Sequence, residues 1–296
     1  MVGGLPRFCA IDNYAESFGF QWSQFSRTQL DPISGTGLSE RRFYASTGWS
    51  PADLGHCSLL EVGSGAGRFS EVILRTSPTA VLHSVDYSSA VDTNLSNNSV
   101  YRERLHLAQA SIYELPFPDS SFDKVVCLGV LQHTPSFVDS IAALINKTRV
   151  GGEIVVDFYP IKGWYTKLHS KYILRHITRR MPKPLLLRII SYVTPRMLEL
   201  FDFLCRHRLG LFTRFVPITD VRNFPVGLDH QQRLEWTIMD TFDGLSPKYD
   251  KPQRMQDVVQ MFTSRNCRID YAGIVTYEGG ASTVVRAYKL LDAEVV

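Results

Sequence analysis

Hydrophobic and polar positions along the chain follow two rhythms. Between residues 57 and 159, short apolar runs alternate with stretches of helical periodicity. CSLLEV (57–62) predicts a strand that ends at glycines, and RFSEVILR (68–75) follows with apolar residues at helical spacing. AVLHSV (80–85), RLHLAQA (104–110), FDKVVCLGV (122–130) and EIVVDF (153–158) predict four more strands, with a helix over 137–146 before Gly151 and Gly152. Strands alternating with helices predict a parallel sheet covered on both faces. A helix over 252–262 then precedes two strand segments, 267–276 and 282–290, joined by a turn at 278–281. Strands so tightly joined are antiparallel neighbours, so a parallel sheet with an antiparallel edge hairpin is expected.

The second rhythm is less regular. Residues 1–55 are rich in aromatics, and Tyr14, Phe18 (or Phe20), Trp22 and Phe25 stand at helical spacing. DPISGTG (31–37) reads as a turn-rich break, and Ser39 as the cap of a following helix. Residues 160–250 interrupt the strand–helix alternation, and Pro182, Pro184 and Pro195 divide this insertion into short helices. The expected organisation is an N-terminal helical lid (1–55), a core (56–159), a helical insertion (160–251) and a C-terminal completion of the sheet (252–296).

Composition narrows the class. The 296 residues are 44% apolar and 21% charged, the balance of a globular protein rather than a disordered or fibrous one. No apolar run reaches the length of a membrane span, and no basic segment followed by an apolar one opens the chain. The five cysteines (Cys9, Cys57, Cys127, Cys205 and Cys267) are far apart, which argues against a disulfide framework or a zinc ribbon and points to a reducing, cytoplasmic setting.

The chemistry concentrates at LLEVGSGAGRF (59–69). Gly63, Gly65 and Gly67 let the backbone turn sharply and approach a ligand, and the helix behind them offers free N–H groups. Asp86 ends the second strand, 19 residues beyond Gly67, where a carboxylate accepts both ribose hydroxyls of a nucleoside. The dinucleotide pattern G-x-G-x-x-G is absent, because Arg68 stands where its third glycine belongs. Glu61, two residues before Gly63, suits the loop's N–H groups or a cationic amine and not a pyrophosphate. The expected ligand is a nucleoside without phosphates, with Ser111 and Ile112 placed beside its base.

Glu-x-Gly-x-Gly-x-Gly, the acid at 86 and the LPFPDSSFD segment (115–123) together resemble the class I S-adenosylmethionine-dependent methyltransferases over roughly 57–159 and, in topology, 252–291. The resemblance implies a Rossmann-like α/β fold with S-adenosyl-L-methionine as cofactor and S-adenosyl-L-homocysteine as product. It implies that the glycine loop packs on the methionine part, that Asp86 binds the ribose and that Ser111 and Ile112 flank the adenine. Glu61, Tyr87, Leu128, Tyr14 and Arg42 complete the expected cofactor set, Arg42 by pairing the cofactor's carboxylate. Segments 13–31 and 240–250 are similar to a bacterial branch of small-molecule methyltransferases, some of which carry a zinc ribbon ahead of Gly-x-Pro-Arg-Phe. GGLPRF (3–8) is present here without paired cysteines before it.

Methyl transfer from a sulfonium is an in-line displacement, so the protein supplies orientation and, for a protonated nucleophile, a base. GVLQHTP (129–135) follows the fourth strand, where the ligand crevice of such sheets lies, and His133 is the candidate base, or else caps the following helix or packs against the cofactor's methionine. His230 is the second choice. The Asn/Asp-Pro-Pro-Tyr/Phe motif of nucleobase amine methyltransferases is missing, and no aspartate occupies this turn to hold magnesium, so no metal is expected. Trp22, Asp157, Tyr159, Trp236 and Tyr249 are expected to line the acceptor pocket, with Asp240 and Asp243 near it.

Residues 160–215 hold twelve Lys and Arg against Glu199 and Asp202, a local excess of ten positive charges in a chain of net charge +3. Apolar residues are interleaved with them. That pattern suggests an acidic acceptor, peripheral contact with an anionic membrane surface, or a solvated cationic face. No recognised nucleic-acid-binding module accompanies the charge. The expectation is therefore methylation of a small molecule, oxygen before nitrogen or carbon. The alternatives are a non-methylating role such as a cyclase, or RNA methylation with the insertion as a clamp.

Overall fold

The computed structural model of the chain describes residues 4–10, 13–161, 163, 170–224 and 227–291. Its centre is one seven-stranded sheet built from β1 (Ser58–Val62), β2 (Val81–Asp86), β3 (Leu105–Gln109), β4 (Phe122–Cys127), β5 (Thr148–Phe158), β6 (Cys267–Tyr277) and β7 (Gly280–Lys289). The order is β3-β2-β1-β4-β5-β7-β6. The first five strands are parallel, and β7 pairs antiparallel with both β5 and β6. The mostly parallel sheet and its antiparallel edge therefore stand as expected.

Alternation along the strands divides the core into two layers. Leu60, Val125, Ile154, Val156 and Val285 point to one face, where α6 (Phe137–Lys147) and α10 (Met255–Thr263) cover them. Leu59, Val126, Val155 and Val284 point to the other, under α3 (Leu38–Thr47), α4 (Arg68–Thr76) and α5 (Ala90–Asn97). Strands buried on both faces must be apolar throughout, which is why these segments read as near-continuous hydrophobic runs.

Between β5 and α10 lie α7 (Ser170–Thr178), α8 (Lys183–Arg206) and α9 (His230–Leu245). The N-terminal α1 (Glu16–Gln24) packs on both α5 and α9, roofing the space between core and insertion. Gly19 permits the approach to α5, since a Cβ there would lie 2.3 Å from Ser89 Oγ.

Four local expectations are corrected. Pro195 does not end a helix: α8 runs 24 residues straight through it. Burial of Leu186, Ile190, Thr194, Leu198 and Phe201 outweighs the hydrogen bond that proline removes. Residues 31–34 form a short helix, α2 (Asp31–Ser34), rather than a plain break. Ser39 is not the cap of α3, whose cap position is Gly37; Asp31 accepts from the Ser39 and Glu40 amides at 2.9 and 2.8 Å instead. Finally, β5 begins at Thr148, and its register on β4 shifts between Phe122 and Lys124, so Gly151 (φ +76°) is a bend inside the strand and not its boundary.

Candidate functional site

The order in which strands are added reverses between the parallel neighbours β1 and β4, and ligands of open α/β sheets sit at such a switch point, beyond the strand ends. A cavity of about 1080 Å³ lies there. One wall is the glycine loop, with Asp86 and Tyr87 at the end of β2 and Ile112 after β3. Leu128 to Val130, His133, Asp157 and Tyr159 form its floor. Tyr14, Phe18 and Trp22 close it from above, and Trp236, Asp240 and Asp243 of α9 form the opposite wall.

The loop is held by its own neighbours. The amides of Gly63 and Ser64 donate to Val85 O at 2.7 and 3.1 Å, and the Gly65 amide donates to Asp86 Oδ2 at 2.8 Å. The other Asp86 oxygen accepts from the Ser88 amide and hydroxyl at 2.8 and 2.6 Å. Burial raises the Asp86 carboxyl above its ordinary value, opposed by these same bonds. Gly65 (φ +54°) leaves a slot, because a Cβ there would stand 2.9 Å from Trp22 Nε1. Gly67 (φ +86°) serves packing: a Cβ would fall 2.2 Å from Asn94 Oδ1 and 2.3 Å from Asn98 Nδ2.

Glu61 does not hold the loop's N–H groups, which Val85 and Asp86 already satisfy. It lies behind the loop, where its Oε2 accepts from Ser70 and Ser84 hydroxyls at 2.5 and 2.9 Å while Oε1 has no partner. Burial pushes it up to about 7. Ser111 is also set back from the cavity, its hydroxyl accepting from the Tyr113 amide at 3.2 Å, and only Ile112 of that pair lines the wall.

Arg42 lines the cavity but is already paired, at 2.8 Å, with Asp157 Oδ2; the second Asp157 oxygen accepts from the Gly129 amide. The pair makes Asp157 a brace between α3 and the turn after β4. Of the two core arginines that line the cavity, Arg68 is the one with no carboxylate partner among the described residues, and it is not among the cofactor residues expected from sequence. It is buried at the start of α4, with Nε donating to Ser39 Oγ at 2.8 Å. Burial and the neighbouring Arg42 charge lower it to about 10. Its place directly behind the third glycine was the available signal.

His133 is buried on the floor. Its Nδ1 lies 3.1 Å from the Tyr249 carbonyl, which can only accept, so Nδ1 carries the proton and Nε2 the lone pair. Among the described residues Nε2 has no partner, and the Phe18 and Tyr159 rings stand 5.0 and 5.7 Å from the imidazole. Burial lowers the pKa of His133 and keeps the ring neutral. It does not cap α6, because Ser136 Oγ accepts from the Asp139 amide there.

Tyr249 therefore acts through its backbone; its ring stacks edge-on against Tyr14 at 5.5 Å and does not line the cavity. His230 is apart from the site. It opens α9 on the exposed side, behind the Asp229 cap, and cannot reach a ligand in the cavity. Asp240, one helical turn before Asp243 on α9, faces Arg68 and Arg42 across the cavity, and burial raises it to about 7. Tyr159 donates to Asp243 Oδ2 at 3.4 Å. The insertion thus gives the cavity its acids, while among its described cations Lys171, Arg214 and Arg222 line it, Lys171 paired with Asp250 and Arg222 with Asp220.

Comparison with known proteins agrees with this layout. Residues 60–156 match the family described as a methyltransferase domain. An uncharacterised protein of Synechococcus sp. is 30% identical over 116 residues, 38% of this chain and 28% of that protein. A tRNA U34 carboxymethyltransferase of Nautilia profundicola is 26% identical over 106 residues, 36% of this chain and 35% of that protein. The chain therefore spans about a third of the length of these curated relatives. The structure of magnesium protoporphyrin IX methyltransferase from Synechocystis PCC 6803 with bound SAH has a TM-score of 0.50 at 12% identity, covering 93% of this chain and 96% of that one. Residues 60–156, set in this sheet order, match a methyltransferase domain, and the fold of the chain is that of the solved methyltransferase.

Proposed function

We propose that the protein transfers a methyl group from S-adenosyl-L-methionine to a small-molecule acceptor, an oxygen nucleophile first, with His133 as general base. The observation that carries this reading is that one cavity joins the glycine loop and Asp86 to a neutral histidine. The wall residues suit the cofactor. Buried Ser64 Oγ and Gln21 Oε1 face this space without partners, and Gly65 leaves a slot beneath Trp22. Asp86 holds the ribose, Ile112 and Tyr87 flank the adenine, and Arg68 with Arg42 meets the methionine carboxylate.

The cofactor supplies a methyl already activated by its sulfonium. The chain's residues orient the acceptor and take its proton at His133 Nε2 as the bond to carbon forms. Tyr249 O holds the tautomer that leaves Nε2 basic. The Phe18 ring of α1 stands 5.0 Å from the imidazole, so α1 serves as a lid that keeps water from this end of the cavity. Tyr159 and Trp236 present an apolar and aromatic surface to the acceptor.

Calorimetry of the chain with S-adenosylhomocysteine tests the cofactor half: micromolar binding is expected, and no heat would overturn it. Release of S-adenosylhomocysteine in the presence of a panel of phenols, carboxylic acids and amines tests transfer. Product formed only with transfer RNA would replace the small-molecule acceptor with RNA. Product-free consumption of the cofactor would favour a non-methylating role.

A further inference from the structure

The outer face of α8 is unlike the rest of the surface. Its buried side packs towards α9, while Leu185, Ile189, Tyr192, Leu200 and Phe203 are 42–70% exposed. These five recur at helical spacing and form one stripe about 27 Å long at 1.5 Å per residue. Leu211, Phe212 and Phe215, in the segment directly after the helix, are 55–75% exposed. A run of large exposed apolar side chains of this extent marks an interaction surface.

Arginines fill the gaps. Arg179, Arg180, Arg188, Arg196, Arg206 and Arg208 are exposed, and none forms an ion pair among the described residues. On α8 itself, Glu199 is the one exposed acid against Arg188, Arg196 and Arg206. The guanidinium of Arg196 rests over the Tyr192 ring at 4.9 Å, so cation and aromatic are presented together.

We infer that this face docks on an anionic bilayer surface, with the leucines, isoleucine and aromatics entering the headgroup boundary and the arginines meeting lipid phosphates. The charge decides the occupant. A second copy would bring the same unpaired arginines against these, and like charges repel. A nucleic acid would satisfy the arginines but has no use for aliphatic Leu185, Ile189 and Leu200. An amphipathic helix with arginines around an apolar stripe is the pattern of an interfacial, non-spanning membrane contact. No described helix is long and apolar enough to cross a membrane. Leu211 and Arg214 belong both to this end of the insertion and to the cavity lining, so docking turns a mouth of the cavity toward the bilayer. The inference stands apart from the assignment of the cavity, because it rests on outward-facing residues alone.

Co-sedimentation of the full chain with phosphatidylcholine vesicles containing 30% phosphatidylglycerol, against pure phosphatidylcholine vesicles, tests it. Partitioning at least tenfold stronger into the anionic vesicles is expected, falling severalfold between low and high salt. Ile189→Asp with Phe203→Asp should abolish it, and Arg188→Gln with Arg196→Gln should weaken it three- to tenfold. Both variants should keep the thermal transition and S-adenosylhomocysteine affinity of the parent. Equal partitioning into both vesicles, or none, overturns the inference. So does tight binding of a single-stranded RNA that survives Ile189→Asp with Phe203→Asp, or dimerisation that this double variant removes.

Discussion

The two long walls of the cavity are built on opposite plans. The glycine-loop wall is made of backbone and short side chains from one stretch, residues 61–88, and nearly every polar group in it has a partner within that stretch. The α9 wall is made of side chains whose partners lie far away in sequence: Asp240 faces Arg68, and Asp243 accepts from Tyr159. Local hydrogen bonds make the first wall rigid and suited to one ligand. The second depends on how helices pack, so under the proposed reading the acceptor side can change without disturbing the cofactor side.

Variants on the two walls should separate binding from turnover. His133→Ala, on the floor between them, should lower kcat by roughly 10²–10⁴-fold and shift S-adenosylhomocysteine affinity less than threefold. In the parent the acid limb of the kcat profile should fall below the ordinary histidine value, because burial depresses the group. An unchanged kcat would leave the histidine with a packing role alone. Asp86→Ala should weaken S-adenosylhomocysteine by about 10²-fold or more, as it removes a charged acceptor and frees the Gly65 amide together. Asp240→Asn should leave that affinity within a few fold while raising KM for the acceptor. If calorimetry gives the reverse order, the walls have been assigned the wrong way round.

The buried carboxyls offer a pH test of the same contrast. Glu61 behind one wall and Asp240 on the other are each raised to about 7, against ordinary values of 4.5 and 3.8. The fold therefore holds protons that the unfolded chain has released. The stability these two groups contribute is fully present at or below those ordinary values and is lost as pH rises toward 7. Glu61→Gln should flatten that loss by about 3 kcal/mol at most, measured by urea unfolding of the ligand-free chain. Gly67→Ala should have the smallest reach: a loss of about 1–3 kcal/mol from crowding Asn94 and Asn98, with affinity following only as the loop shifts. Gly65→Ala, aimed at Trp22, should instead cost affinity before stability.

How much was legible follows the same division. The strand–helix alternation, the edge hairpin, the glycine loop, Asp86 and the floor histidine were all readable from local pattern. Arg42 and Arg68 were both visible as charges, yet which one is spent on a carboxylate depends on Asp157, 115 positions from Arg42. Tyr249 is expected from sequence to line the acceptor pocket, and the fold instead uses its carbonyl to hold His133. His230 was picked for its chemistry, and the helix start turns it to solvent.

The sequence by itself determined the parallel sheet and the ligand-binding turn, because both follow from periods of two and 3.6 residues and from glycines whose neighbours are a few positions away. It also determined that the insertion is basic and interleaved with apolar residues. Only the tertiary structure decided that the arginines on and beside α8 face outward while the acids of α9 face the cavity. The sidedness of a helix with apolar residues all around it is set by what it packs against, and that partner lies elsewhere in the chain.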